Sequence, residues 1–187
     1  NFSMSFLAIG TAFDKINQEN NYQSNAFERF SENRREISRR MAEQRQSQSN
    51  GNYTPTRFTN GYYKGYGPSS QEVLIPAFLS AYGEYSNKNA PLNNFPLIPF
   101  PNWRINFNNL TKLDFISAVA NNVNISHSYN CTYTIGNFLY DPNHDPSRGV
   151  PFDPSEELAI EERLDQLNFL PKFEMTSVAI NEQFNPL

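Results

Sequence analysis

Few residues in this chain could make or break bonds, and their spacing argues against most such chemistry. There are two histidines, His127 and His144, and one cysteine, Cys131. His127 and Cys131 share a run from Val123 to Tyr140 in which apolar and polar side chains alternate. Alternation places both on the apolar side, with Val123, Ile125, Tyr129, Tyr133, Ile135 and Leu139. In that company a packed histidine and a small buried hydrophobe explain them better than a general base or a nucleophile. His144 stands in Asp141-Pro142-Asn143-His144-Asp145, which has oxygen ligands at alternate positions like the start of a calcium loop. Such a loop needs a glycine just after the third ligand. Pro146 occupies that place, so the segment reads as an Asx-turn loop tied down by prolines. Glu156, Glu157, Glu161 and Glu162 could pair for glycoside hydrolysis. They lie mostly on the wet face of an amphipathic helix, and its solubility accounts for them. There is no Gly-rich phosphate loop and no GxSxG, HExxH or CxxC motif. The residues therefore offer no catalytic, cofactor-binding or metal-ligating site, and binding, gating or transport is left.

The elements around these residues read as a sheet with helical insertions. Opposite the Val123–Tyr140 run stands Pro99-Phe100-Pro101-Asn102-Trp103-Arg104-Ile105-Asn106-Phe107, with Trp103, Ile105 and Phe107 on one face and Arg104, Asn106 and Asn108 on the other. The polar side of the longer run holds Asn124, Ser126, Ser128, Asn130, Thr132 and Thr134. That run is long for a soluble strand, usually about 5–6 residues, and a membrane-spanning strand needs roughly 9–11 residues with the same dyad. Further strands are expected over Phe2–Ile9, with Phe2, Met4, Phe6 and Ala8 on one side, and over Lys172–Glu182. Helical insertions are expected at about 24–46, 69–82, 111–122 and 155–167. The first has a stripe of Phe27, Phe30, Ile37 and Met41. Its arginines, Arg29, Arg34, Arg35, Arg39, Arg40 and Arg45, alternate with glutamates and read as a solvated face with pairs such as Glu36–Arg40 and Glu32–Arg35, the sharper alternative being a basic stripe on a partner surface. The second begins at a Ser69…Glu72 capping box, buries Val73, Leu74, Phe78 and Leu79, and should kink at Pro76. Between these two helices, residues 47–68 form a long Gly/Asn/Tyr-rich loop, a length that is usually functional or disordered. Its Tyr62, Tyr63 and Tyr66 are expected to pack the loop down rather than to contact a sugar or a peptide. Residues 90–101 carry four prolines and read as a stiff connector into the Trp103 strand. No repeat recurs at a fixed period.

Composition agrees with this. The 187 residues carry a net charge of −4 and a pI near 5.2, which does not favour nucleic acid. Aromatics are 14% and mean hydropathy is −0.65, with 26 asparagines, a balance that fits a surface-rich β protein or an outer-membrane barrel, half of each strand facing water. A single cysteine leaves no internal disulfide. No apolar run approaches the ~18 residues of a membrane helix. The chain opens inside a strand-like run without Met and stops at Asn185-Pro186-Leu187, so it reads as an internal piece of something longer.

Several segments resemble, in order, the SprA/Sov family, the giant outer-membrane translocon of the Bacteroidetes type 9 secretion system. They are Phe6 with Thr11-Ala12-Phe13, then Phe27, Phe30, Asn33 and Arg34, then Glu72–Tyr82, then Pro99-Phe100-Pro101-Asn102-Trp103-Arg104-Ile105 with Leu110. Asn124-Ile125-Ser126-His127-Ser128-Tyr129, Thr132-Tyr133, Leu170-Pro171-Lys172-Phe173 and Asn181–Leu187 follow. The Pro101–Arg104 and His127–Tyr129 stretches are the more specific. The resemblance covers nearly the whole chain and places it towards the C-terminal part of that family's protein. It implies a mainly β fold with inserted α-helices, a segment of a very large transmembrane β-barrel, the largest of which reach about 36 strands. It implies a cell outer-membrane location and transport of folded cargo proteins, linked to gliding motility and cell-surface export. The implied partners are the rest of the barrel, a PorV-type cargo-receiving barrel, a periplasmic plug protein, secreted cargo and the lipid bilayer. It brings no catalytic residues and no cofactor. Within this picture polar faces line a wet pore, Trp103, Tyr129, Tyr133 and Tyr140 face lipid or its interface, and the helices narrow the lumen or build a cap. A rival reading from the residues is a soluble or surface-attached glycan- or peptide-binding module using the Tyr-rich loop. A hydrolase built on the Glu-rich helix is the weakest.

Overall fold

The computed structural model describes residues 1–11, 14, 16, 18, 22–83, 85–95, 99–108, 112, 123–140, 142, 168–169 and 171–185. Apart from residues 112 and 142, the helices expected at 111–122 and 155–167, the Asp141–Asp145 loop with His144, and Glu156, Glu157, Glu161 and Glu162 lie outside the described residues.

The chain is organised on one long strand, β3 (Ile125–Tyr140). Strand β4 (Phe173–Asn185) runs antiparallel along one edge, from Ser128↔Asn185 to Tyr140↔Phe173. Two short strands share the other edge end to end. β1 (Phe2–Ser5) pairs Phe2↔Ile135 through Ser5↔Thr132, and β2 (Trp103–Phe107) pairs Trp103↔Tyr129 through Phe107↔Ile125. Between these two pairings Cys131 would face a break in the ladder. The Phe6 amide donates to the Cys131 carbonyl (3.1 Å), and the Cys131 amide donates to Asn102 Oδ1 (2.9 Å). An asparagine side chain thus stands in for a strand in the gap between β1 and β2. The sheet is open and antiparallel, and the described residues form a mainly β fold with two helices.

Two helices stack on the apolar face. α1 (Asn25–Gln48) starts at Ser24, whose hydroxyl accepts from the Phe27 amide (3.2 Å). α2 (Gln71–Tyr82) lies between α1 and the sheet. Ile75 and Leu79, one turn apart, pack with Phe6, Tyr129, Tyr133 and Ile135. Val73 and Ala77 face the other way, towards Ile37, Ala42, Tyr62 and Tyr66. A helix with apolar residues all round is one that is covered all round, and α2 is the middle of three layers. Pro76 sits buried within the helix.

Some expectations change. The buried side of α1 is Ala26, Asn33, Ile37, Ser38 and Ala42, while Phe27 is exposed. Small and polar residues take the interface because the facing groups are hydrogen-bonding ones. Asn33 donates to Ser80 Oγ (2.7 Å), and Ser38 donates to the Tyr66 carbonyl (2.6 Å). Glu36 pairs with Arg39 rather than Arg40, and Arg39 also pairs with Glu43. Arg39 holds the Glu36 carboxyl below its ordinary value. The face is solvated at Arg35 and at the Arg39–Glu43 pair, and three of its arginines also staple α1 to its own chain. Arg29, Arg35 and Arg40 donate to the carbonyls of Ala81, Asn60 and Asn87. Ser69 is not the cap of α2, because Ser70 holds that position by its backbone and Ser69 Oγ accepts from Asn168. In α2, Leu74 and Phe78 are only half-buried, and Ile75 is buried instead.

The apolar face of β3 also does not run straight. Asn137 has φ 50°, a left-handed conformation that turns the pleat over. Burial shifts there from Tyr133 and Ile135 to Phe138, and on the partner strand from Val178 and Ile180 to Met175 and Phe173. Leu139 therefore ends outside, 59% exposed, and not with the core as alternation alone predicts.

Candidate functional site

His127 is a half-buried strand residue. It donates from Nδ1 to the Asn185 carbonyl (3.0 Å), and its ring meets Phe184 edge-on at 5.4 Å, with Trp103 on another side at 6.2 Å. Cys131 is fully buried. A reactive thiol sits partly exposed in an electropositive setting, and this one is packed among Phe6, Ala8, Tyr129 and Tyr133. The two residues serve one face of one strand and form no pair. Among the described residues, no three His, Cys, Asp or Glu gather as a metal site.

The tyrosine-rich loop is built inward. Tyr62 and Tyr66 are buried against α1 and α2, and Tyr63 is half-buried. The Tyr63 amide donates to Ser38 Oγ (3.0 Å), and Tyr53 donates from its hydroxyl to the Lys64 carbonyl (2.7 Å). Burial, reinforced by Tyr66, pushes the Tyr53 hydroxyl up to about 12. Burial likewise raises the Glu72 carboxyl, with Arg45 opposing it. Packing thus takes up the tyrosines that a glycan contact needs on the surface.

Two placements were not readable in advance. Gln71 bridges layers, its Nε2 donating to the Phe173 carbonyl (2.8 Å) and its Oε1 accepting from the Met175 amide (2.7 Å). One side-chain amide thus imitates a strand at that end of β4. Asn168 and Phe169 reach into the tyrosine loop, the Phe169 amide donating to the Gly65 carbonyl (2.9 Å). The one sequence signal for this was Gly65 itself, a glycine amid tyrosines.

The described surface most suited to meet another phase is the β2 end of the sheet. Ile105 and Phe107 are 57% and 51% exposed, and Phe184 on β4 is 37% exposed. Ile105 pairs with His127 and Phe107 with Ile125, so these side chains adjoin on one face. The reverse face there carries Arg104, Asn106, Asn124, Ser126 and Ser128, with Ser126 donating to Asn106 Oδ1 (2.8 Å). Trp103 marks the boundary, its ring stacked on the buried Tyr129 at 4.6 Å and 26°. Tyr129 and Tyr133 do not take the lipid-facing places that the resemblance to a barrel wall implies for them. Both are 1% exposed beneath α2 and the Phe6–Ala8 segment, their hydroxyls bonded to the Ala8 amide (2.9 Å) and the Asn94 carbonyl (2.7 Å).

No protein-family model matches the chain, and no curated protein matches it.

Proposed function

We propose that the chain is a wall-and-cap segment of a very large outer-membrane β-barrel, a protein-conducting translocon that passes folded cargo, and that its part is structural rather than catalytic. The observation that carries this reading is the two-faced β2 end of the sheet. Ile105, Phe107 and Phe184 are exposed on one apolar face, bordered by half-buried Trp103 and Ile125, and the described side chains on the reverse are polar. That dyad is the pattern of a barrel stave with lipid on one side and water on the other. No described helix is long and apolar enough to cross a membrane, which says nothing of a barrel. The helical layer sits on the same side as the apolar residues. A bilayer must therefore stop where α2 begins, and the helices stand beyond it as a cap rather than inside the lumen. The partners that follow are the remaining strands of the barrel, a PorV-type receiving barrel, a periplasmic plug, cargo and lipid. Cell fractionation tests it. The protein should sediment with the outer membrane, and a freely soluble product would overturn the reading.

A second reading, a peptide-binding module, is favoured by one observation, the seating of Asn168 and Phe169 in the tyrosine loop.

A further inference from the structure

The tyrosine-rich loop holds two residues of its own chain as a receptor holds a peptide. Asn168 enters as a parallel β bridge to Gly65, and the next amide, Phe169, donates to the Gly65 carbonyl (2.9 Å). The Asn168 side chain is read at both ends. Its Oδ1 accepts from the Gly67 amide (2.7 Å), and its Nδ2 donates to Ser69 Oγ (3.1 Å). The Phe169 ring fills a place that only glycine leaves open. Gly65 has φ 88°, and a Cβ there would come within 2.0 Å of the ring. The Arg45 guanidinium lies 3.6 Å from the ring centroid, and Tyr53 and Tyr66 meet the ring edge-on at 5.8 and 5.5 Å. A main-chain bond in extended geometry, a pocket for one side chain and a two-ended amide contact are the ingredients of peptide capture by strand addition.

The receiving residues are tied down by bonds that do not involve Asn168 or Phe169. Ser38 fixes the Tyr66 carbonyl and the Tyr63 amide, and Tyr53 fixes the Lys64 carbonyl. All come from the C-terminal half of α1 and the loop that leads into α2. The loop backbone from Tyr63 to Tyr66 is therefore held by bonds independent of the occupant, which lowers the ordering cost of binding.

We propose that Arg45, Tyr53, Gly65, Tyr66, Gly67 and Ser69 form a socket for an extended Asn-Phe segment of another polypeptide, and that Asn168–Phe169 occupy it as a tethered internal ligand. The socket deepens the peptide-binding reading and needs no bilayer, so it stands or falls apart from the translocon.

The test uses the whole chain with Asn168→Ala and Phe169→Ala, and a fluorescent peptide spanning Gln166–Lys172. The emptied socket should bind the peptide. The unaltered chain should bind at least ~10-fold more weakly, because a tethered ligand competes at a roughly millimolar effective concentration. Adding Gly65→Ala to the emptied chain should abolish binding. A double variant with unchanged circular dichroism that fails to bind overturns the proposal, as does equal binding of a peptide with the Asn-Phe order reversed. Should the double variant unfold, the unaltered chain labelled with ¹⁵N-glycine gives the answer from its 8 glycine signals. Peptide carrying a nitroxide at its Gln166 end, at several times the ~millimolar tether concentration, should broaden Gly65 and Gly67 far more than Gly136. An unchanged spectrum contradicts the socket.

Discussion

At Tyr129, Cys131, Tyr133 and Ile135 the apolar face of β3 is sealed, each side chain at most 1% exposed. Two pleats away, at Ile125 with Ile105 and Phe107 beside it, the same face lies open. Nothing in the alternation separates the two regions. What separates them is coverage from distant parts of the chain. α2 brings Ile75 and Leu79 onto the first region, and the opening segment brings Phe6 and Ala8. Trp103 closes the border by stacking on Tyr129. The sealed region is a conventional protein core, and the open one is an apolar surface with a polar back. A dyad in sequence therefore marks a two-faced strand without saying whether protein or lipid covers the apolar side.

The sharpest way to break the comparison is truncation on each side. Tyr133→Ala should cost about 3–5 kcal/mol of stability, as buried aromatic truncations do. Ile105→Ala in water should change stability by no more than about 0.5 kcal/mol. Urea unfolding decides, and similar costs would show that the two regions are not distinct. Next come two asparagines at either side of the same border. Asn102→Ala removes the acceptor of the Cys131 amide and should cost about 1–3 kcal/mol, with faster exchange of that amide. Asn106→Ala removes only an exposed contact to Ser126 and should be near neutral. At the far end, Asn137→Val forces a branched residue into the left-handed conformation and should cost about 1–2 kcal/mol, whereas Asn137→Gly should be neutral or slightly stabilising.

The smallest effect lies in the helical layer. Burial raises the Glu72 carboxyl above its ordinary 4.5, so the folded chain holds that proton more tightly than the unfolded chain does. The linked stability is fully present below the unfolded value and is lost as pH rises through the folded one. Glu72→Gln should therefore raise the melting temperature at pH 7 and bring no gain at pH 4. A gain at both would assign the effect to packing.

Much of the sheet was legible because alternation is local. Trp103–Phe107 matches the expected strand, β3 begins two residues later than expected, and both described helices fall near their expected bounds. What escaped were features fixed by residues far apart. Asn102 reads as a polar residue beside Trp103, and only the gap between β1 and β2 gives it a backbone to complete. Gln71 reads as a helix start, yet its amide is committed to β4. The capping box failed because Ser69 is engaged by a residue 99 positions away. The staples made by Arg29, Arg35 and Arg40 do not show in a helical pattern, because the carbonyls they hold belong to other segments. Asn137 hid the turnover of the pleat, since an asparagine in a strand looks the same in either conformation.

The most direct test of the central claim uses tryptophan as a depth probe, since Trp103 is the one tryptophan in the chain. Trp103→Phe with Ile105→Trp puts the probe on the open face, and Trp103→Phe with Leu79→Trp puts it under the helical layer. The protein is then placed in bilayers containing brominated lipid. The account predicts strong quenching at position 105 and little at position 79. An Ile105→Trp probe quenched by aqueous iodide and untouched by brominated lipid would contradict it.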